Sequence, residues 1–292
     1  MQTLIKRNYS YYLLLPGFLL FFILFVLPSL GSFYYAFTNW SGIGHYSWIG
    51  MENFGNLLDT DNNSISFKNT FIFATITTIL KVSLGFALAL FVNQKLKSAV
   101  YLRSILFFPV VLSSIAVALA FQAIMHPVNG VLNIFLRFIQ LDGLAQDWLT
   151  NPSIVMYSIS FVEVWKYVGF HMVLFLAGLQ TVPKEMYESS TIDGANKWQQ
   201  FRFITFPLLR PVLNVNIIFS IIGGLKVFDI VYGLTSGGPG NASNVINIII
   251  YKNFAEGRYG EATAANVVLF LMILIIILIS NKFLGQRGGD ES

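Results

Sequence analysis

The stretch "VVLFLMILIIILI", Val267–Ile279, holds thirteen apolar side chains in a row with no polar group between them. Extended to about 20 residues, a helix through it matches the ~30 Å hydrocarbon core of a bilayer. The same reading along the chain predicts six spans, at 12–37, 68–93, 101–125, 154–180, 208–232 and 261–284. These runs are too long for the strands of a membrane barrel, which need only about 10 residues. The fold class that follows is all-α: a polytopic membrane protein with six transmembrane helices. Composition agrees, since 55% of residues are hydrophobic and 11% charged, where soluble domains carry about 25% charged residues.

The same composition removes several chemistries. Without cysteine there is no disulfide, thiolate metal site or Cys nucleophile. His45, His126 and His171 are too scattered to show metal-ligand spacing. No Ser/His/Asp pattern or paired-carboxylate motif marks a catalytic site. The net charge of +4 reflects basic residues near the ends of apolar runs, which is a topology signal and not a nucleic-acid signal.

The first span follows Lys6 and Arg7 but is far longer than a signal-peptide core and lacks a small-residue cleavage site, so it reads as a retained helix that Pro16 and Pro28 bound or kink. Basic residues set the orientation. With the N-terminus inside, the inner segments hold Lys6, Arg7, Lys95, Lys97, Arg103, Lys184, Lys197, Arg202, Arg210, Lys282 and Arg287, and the outer ones only Lys68, Arg137, Lys252 and Arg258. The inside excess places both termini in the cytoplasm. Trp40, Trp48 and Trp148 then fall at the outer interface, where aromatic rings concentrate. There is no convincing internal repeat, as the symmetric halves of many secondary transporters would show.

One polar island interrupts the apolar pattern, "EMYESSTIDGANKWQQFRFITFPLLRPV", Glu185–Val212. Pro183 can start a short helix with Glu185 and Glu188 in its early turns, favourable to the helix dipole. Gly194 can end it in a left-handed turn. A second short helix, about 196–204, carries Trp198, Phe201 and Phe203 and is expected to stop at Pro207. A helix of ten residues is about 15 Å long, too short to cross a bilayer. It is either an amphipathic loop on the membrane surface or a docking element for another protein.

Six ionisable residues fall inside the expected spans: Lys81, Glu163, Lys166, His171, Lys226 and Asp229. A charge at mid-membrane costs about 2.5–3.5 kcal/mol on insertion scales, so such groups face a cavity or one another. Glu163 with Lys166, and Lys226 with Asp229, are three apart and can share a helix face. They either brace the bundle or line a polar path, with Trp165, Tyr167 and Tyr232 nearby as packing, interface or stacking rings. The "SGGPG" loop, with Gly237, Gly238 and Pro239, is either a tight turn or a contact surface.

The island resembles the EAA loop of permease subunits of ATP-binding-cassette (ABC) importers, which reads E-A-A, three residues, Gly, nine residues, I-x-L-P. Here Glu188, Ser189 and Ser190 precede Gly194 at that spacing, with Ile204 and Pro207 beyond it; Ser replaces both alanines and Phe206 the leucine. Ala195, after the glycine, completes a D-G-A. "FDIVYGLTSGGPGNASN", "WIGMENFGNLL", "FKNTFIFA" and the first-span segment resemble the sugar-transport branch, the maltose and glycerol-phosphate type, so the likeness covers nearly the whole chain.

That resemblance implies a type I ABC importer transmembrane-domain fold, with an N-terminal segment at 1–67, a core at 68–285 that holds the coupling loop at 183–207, and a cytoplasmic tail at 286–292. It implies a sugar-importing permease in a bacterial cytoplasmic membrane that works by alternating access. Glu185, Glu188, Ser189, Ser190, Asp193, Gly194, Ala195 and Pro207 would couple it to an ATPase. Lys81, Glu163, Trp165, Lys166, Lys226, Asp229 and Tyr232 are candidates for the substrate path, and Gly237, Gly238 and Pro239 would face a binding protein. The implied partners are a second permease, two ATP-binding subunits and an extracellular sugar-binding protein. The chain has no G-x-x-x-x-G-K-[ST] of its own, so ATP and Mg belong to the partner ATPase and no cofactor is expected here. The competing readings are a permease for another solute, such as an amino acid, and an ion-coupled transporter with Lys81 and Asp229 as relay groups.

Overall fold

The computed structural model describes residues 14–59, 61–94 and 98–284. Lys6, Arg7, Lys95, Lys97 and Arg287 of the charge count, and the 286–292 tail, lie outside the described residues. Among the described residues, five helices are long and apolar enough to cross a membrane, or six if one sharply bent pair counts as a span.

By contacts the chain divides into two units: residues up to Asp59 together with Ile250–Val268, and the residues from 61 to Ile249 together with those from Leu269 on. In the first unit, α1 (Leu15–Tyr35) buries none of its apolar window. Pro16 sits in its first turn, as a helix start allows. Pro28 follows a π-turn, Phe22–Val26, and the helix runs on through it. Ala36, Ala264 and Val267 form a small core with Phe33, Phe37 and Phe54. Asn53, on α2 (Glu52–Asp59), donates to the carbonyls of Ala36 and Thr38 at 2.9 and 2.8 Å. Trp40 stacks on Tyr35 with centroids 4.1 Å apart, and Trp48 on Phe37 at 5.2 Å.

The second unit is arranged around α7 (Val155–Gln180), of which Ile159, Val162, Met172 and Phe175 are wholly buried. Against it pack α3 (Asp61–Val92), α4 (Ala99–Val111) and α9 (Lys197–Leu225). Small residues permit this closeness: a Cβ on Gly85 would lie 2.7 Å from the His171 Cβ, and one on Gly224 2.7 Å from the Ala74 Cα. This unit also holds α5 (Ser114–Ile124), α6 (Val131–Phe138), α8 (Lys184–Ile192) and α10 (Asp229–Thr235), while α11 (Ile246–Ala255) and α12 (Tyr259–Leu284) each contribute residues to both units.

Three expectations need correction. The 101–125 span is broken: α4 and α5 meet at 98°, with Leu112 and Ser113 both extended. Pro109, inside α4, has no N–H for the carbonyl four residues back, and the helix survives only to Val111. The 208–232 span is shifted: α9 ends at Leu225, Phe228 leaves helical geometry, and a separate α10 starts at Asp229. The Gly223–Gly224 pair weakens the helix just ahead of that break. Finally, Pro207 does not end a short helix. A π-turn at Phe201–Thr205 leads directly into it, so the missing donor falls where the hydrogen-bond register is already shifting and the helix continues.

Candidate functional site

The polar island folds as a helical hairpin. Pro183 caps α8 in extended geometry and Glu185 lies in its first turn. The chain reverses at Gly194, whose φ of +82° favours a residue without Cβ; space is not the reason, since nothing lies within 4 Å of where a Cβ would sit. Asn196 then caps α9, accepting from the Gln199 N–H at 2.9 Å while the Gln199 side chain accepts from the Asn196 N–H at 2.8 Å. Gln200 closes the hairpin by donating to Ser190 Oγ at 3.0 Å and Thr191 Oγ1 at 2.9 Å, and Tyr187 bonds Thr205 at 2.9 Å.

These bonds divide the segment into two faces. Ser190 and Ala195 are half-buried against the hairpin, and Pro207 lies further along α9, also half-buried. Glu185, Glu188, Ser189, Asp193 and Gly194 are exposed, and Ile192 beside them is 87% exposed. The outer face of the hairpin therefore presents carboxylates with one large apolar side chain, Ile192, among them.

The second feature is a cleft of about 360 Å³ in the second unit, where both helix breaks meet. Val110 and Ser114 line it from either side of the α4–α5 break, and Gly223, Lys226, Phe228 and Asp229 from the α9–α10 break. Lys81, Glu163, Tyr167, Phe170, His171 and Phe219 complete most of the wall. Lys81 on α3 and Glu163 on α7 form an ion pair at 3.3 Å, with side chains 3% and 7% exposed. Lys166 is 2% exposed, donates to the Val110 carbonyl at 3.4 Å and lies 4.4 Å from the Tyr167 ring centroid. His171 Nδ1 is 2.9 Å from Asn216 Oδ1, joining α7 to α9.

The i, i+3 pairings anticipated along single helices therefore do not form. Glu163 is taken by a lysine 82 residues away, Lys166 by a helix end, and Lys226 and Asp229 are separated by the break between α9 and α10. Lys226 and Asp229 stay exposed in the cleft. Trp165 packs on Phe121, away from the cleft lining, and Tyr232 stacks behind the cleft residue Phe228. Ser114, Phe170, Phe219 and Gly223 were not singled out in the sequence, and only the Gly-Gly pair carried any signal of its own.

The loop after α10 is anchored to α3. Asn69 Nδ2 donates to the carbonyls of Ala242 and Asn244 at 2.9 and 3.1 Å, and Thr70 Oγ1 accepts from the Ile246 N–H at 3.1 Å. Gly237 is buried with a φ of +90°, Gly238 and Pro239 are half-buried, and Ser236 and Gly240 are the exposed tips.

A helical membrane protein whose interrupted spans border a charged cleft, with an exposed polar hairpin between two spans, has the architecture of a solute-transport subunit. The chain belongs to the family of binding-protein-dependent transport system inner membrane components, which matches residues 81–288. It is 31% identical to the trehalose/maltose transport system permease protein MalF of Thermococcus litoralis, over 95% of this chain and 94% of that one. Among solved structures it is similar to a bacterial ABC transporter that imports the acidic polysaccharide alginate, with a TM-score of 0.84 at 27% identity, covering 96% of each chain. A bacterial alginate transporter in complex with an alginate pentasaccharide-bound periplasmic protein gives 0.82 at 26% identity, over 94% of this chain and 92% of that one.

Proposed function

We propose that this permease moves a sugar or oligosaccharide into the cell, received from an extracellular binding protein and driven by ATP hydrolysis on separate subunits. The observation that carries this reading is the exposed face of α8. Its carboxylates and Ile192 project from a hairpin that is hydrogen-bonded directly into α9, the helix whose far end borders the cleft. Closure of an ATPase pair on that face would move α9 and open or close the cleft. A second permease supplies the other half of the path, two ATP-binding subunits dock from the cytoplasm, and both termini lie on that side, in keeping with the basic residues of the inner segments. The sugar assignment is supported by what the relatives carry, and by a cleft that pairs exposed Lys226 and Asp229 with aromatic walls, the donors, acceptors and apolar faces a sugar uses.

The test is made in the assembled transporter, with Glu188→Lys and Gly194→Leu. The first inverts a charge on the docking face, and the second forces a Cβ into a left-handed backbone. Both are expected to abolish sugar uptake and to lower substrate-stimulated ATPase activity while the protein still inserts. Normal uptake by both variants would end the assignment of α8 as the coupling element.

A further inference from the structure

We infer that Lys166 is a positioning residue whose ammonium holds the bend between α4 and α5 and thereby sets the Val110–Ser114 wall of the cleft. The bend strips one backbone carbonyl of its helical partner. In a continuous helix the Val110 C=O would accept from the Ser114 N–H, four residues on. Here Ser114 opens a new helix at 98° to the first, so that partner is gone. An unfilled backbone acceptor shielded from bulk water is costly, and the end of a helix carries partial negative charge. A buried lysine solves both at once. Lys166 is 2% exposed, and its ammonium donates to Val110 O at 3.4 Å.

Neighbouring residues make this contact specific. One turn further along α7, Gly169 is the point where α4 comes closest, and a Cβ there would collide with the Leu106 carbonyl. Besides the apolar packing of Leu102 and Leu106, α4 meets α7 at two close points: Gly169 under Leu106, and Lys166 under Val110. The carboxylate three residues before Lys166 is Glu163, and it is already engaged by Lys81. Lys166 is therefore left to the helix end, with the Tyr167 ring 4.4 Å away as its other contact. Val110 and Ser114 both line the cleft, so the bend angle fixes the width of that wall. Its importance for transport rests on the proposed function; the bend itself does not.

The chain lacks cysteine, so spin labels can be placed without background. Tyr101→Cys and Ala123→Cys lie on exposed positions of α4 and α5. At 1.5 Å per residue their backbones would be ~33 Å apart in a straight helix and ~22 Å apart with the 98° bend. Distances are measured by pulsed electron resonance in the assembled transporter. One narrow population near the shorter value is expected for the parent and for Lys166→Arg, which keeps the charge. Lys166→Met is expected to add a population at least 4 Å longer. Gly169→Ala, which keeps the lysine but pushes α4 off α7, must do the same, and it stands in if Lys166→Met fails to assemble. An unchanged narrow distribution in the variants would overturn the inference. Because the readout is a distance, failure of sugar uptake in the parent transporter would count against the proposed function alone.

Discussion

The Lys81–Glu163 pair gives the sharpest energetic test of the bundle. Its atoms are 3.3 Å apart with both side chains nearly excluded from solvent. Replacing Lys81 with Met leaves the Glu163 carboxylate buried, and the next cation, Lys166, is committed to the Val110 carbonyl. Removing one partner of a buried pair typically costs about 3–5 kcal/mol. Glu163→Gln should fall at the lower end of that range, because the Lys81 ammonium keeps the Tyr167 ring 5.7 Å away, an attraction of about 1–2 kcal/mol when desolvated. The double variant Lys81→Met with Glu163→Gln buries no unpaired charge, and should recover to within about 2 kcal/mol of the parent. Unfolding free energies from denaturant titration of the purified protein, followed by tryptophan fluorescence, close the cycle. If the double variant is as unstable as the two single losses added together, within about 0.5 kcal/mol, the two groups do not act as a pair and the argument fails.

Two further perturbations follow from contacts already described. Gly224→Leu must drive a side chain into Ala74, whose Cα would lie 2.7 Å from the new Cβ, so a stability loss of about 1–3 kcal/mol is expected in the same titration. Asn69→Ala removes the donor to the Ala242 and Asn244 carbonyls, a loss of about 1–3 kcal/mol; hydrogen exchange of the Ile246 amide should speed up by at least tenfold, and an unchanged rate would show that the loop does not depend on that anchor.

Much of this architecture was legible because membrane insertion makes hydrophobicity a strong signal. The apolar runs locate the spans, and the polar residues around Gly194 mark the hairpin, whose end needs a left-handed residue that the sequence supplies. What was hidden is instructive. Nothing in the apolar run "FFPVVLSSIAVALAF" distinguishes a straight helix from one bent at Leu112, apart from Pro109 and the two serines. Pro207 misled in the opposite direction, because a π-turn absorbs the missing donor. Lys81, Glu163, Lys166 and His171 are buried, as their places in the apolar runs suggested, whereas Lys226 and Asp229 are exposed at a helix break; spacing along one helix favoured partners three residues apart. Their actual partners come from other helices, Lys81 for Glu163 and the end of α4 for Lys166, and one sequence read alone carries no record of such pairings. The cleft shared this fate: Lys226 and Asp229 were visible as anomalies, whereas Ser114 and Phe219 became wall residues only through the breaks.

The unbroken run of α9 has a mechanical consequence. Its 29 residues run from Lys197 to Leu225, through the π-turn and past Pro207 and Pro211, a length of about 43 Å. Moved as one piece it would act as a lever: a tilt of about 10° around its centre displaces each tip by about 4 Å, in opposite directions. One tip carries the hairpin with α8 and the other ends beside Gly223 and Lys226 in the cleft. A push at the first tip would then reach the cleft with its direction reversed, passing through the π-turn and Pro211 on the way.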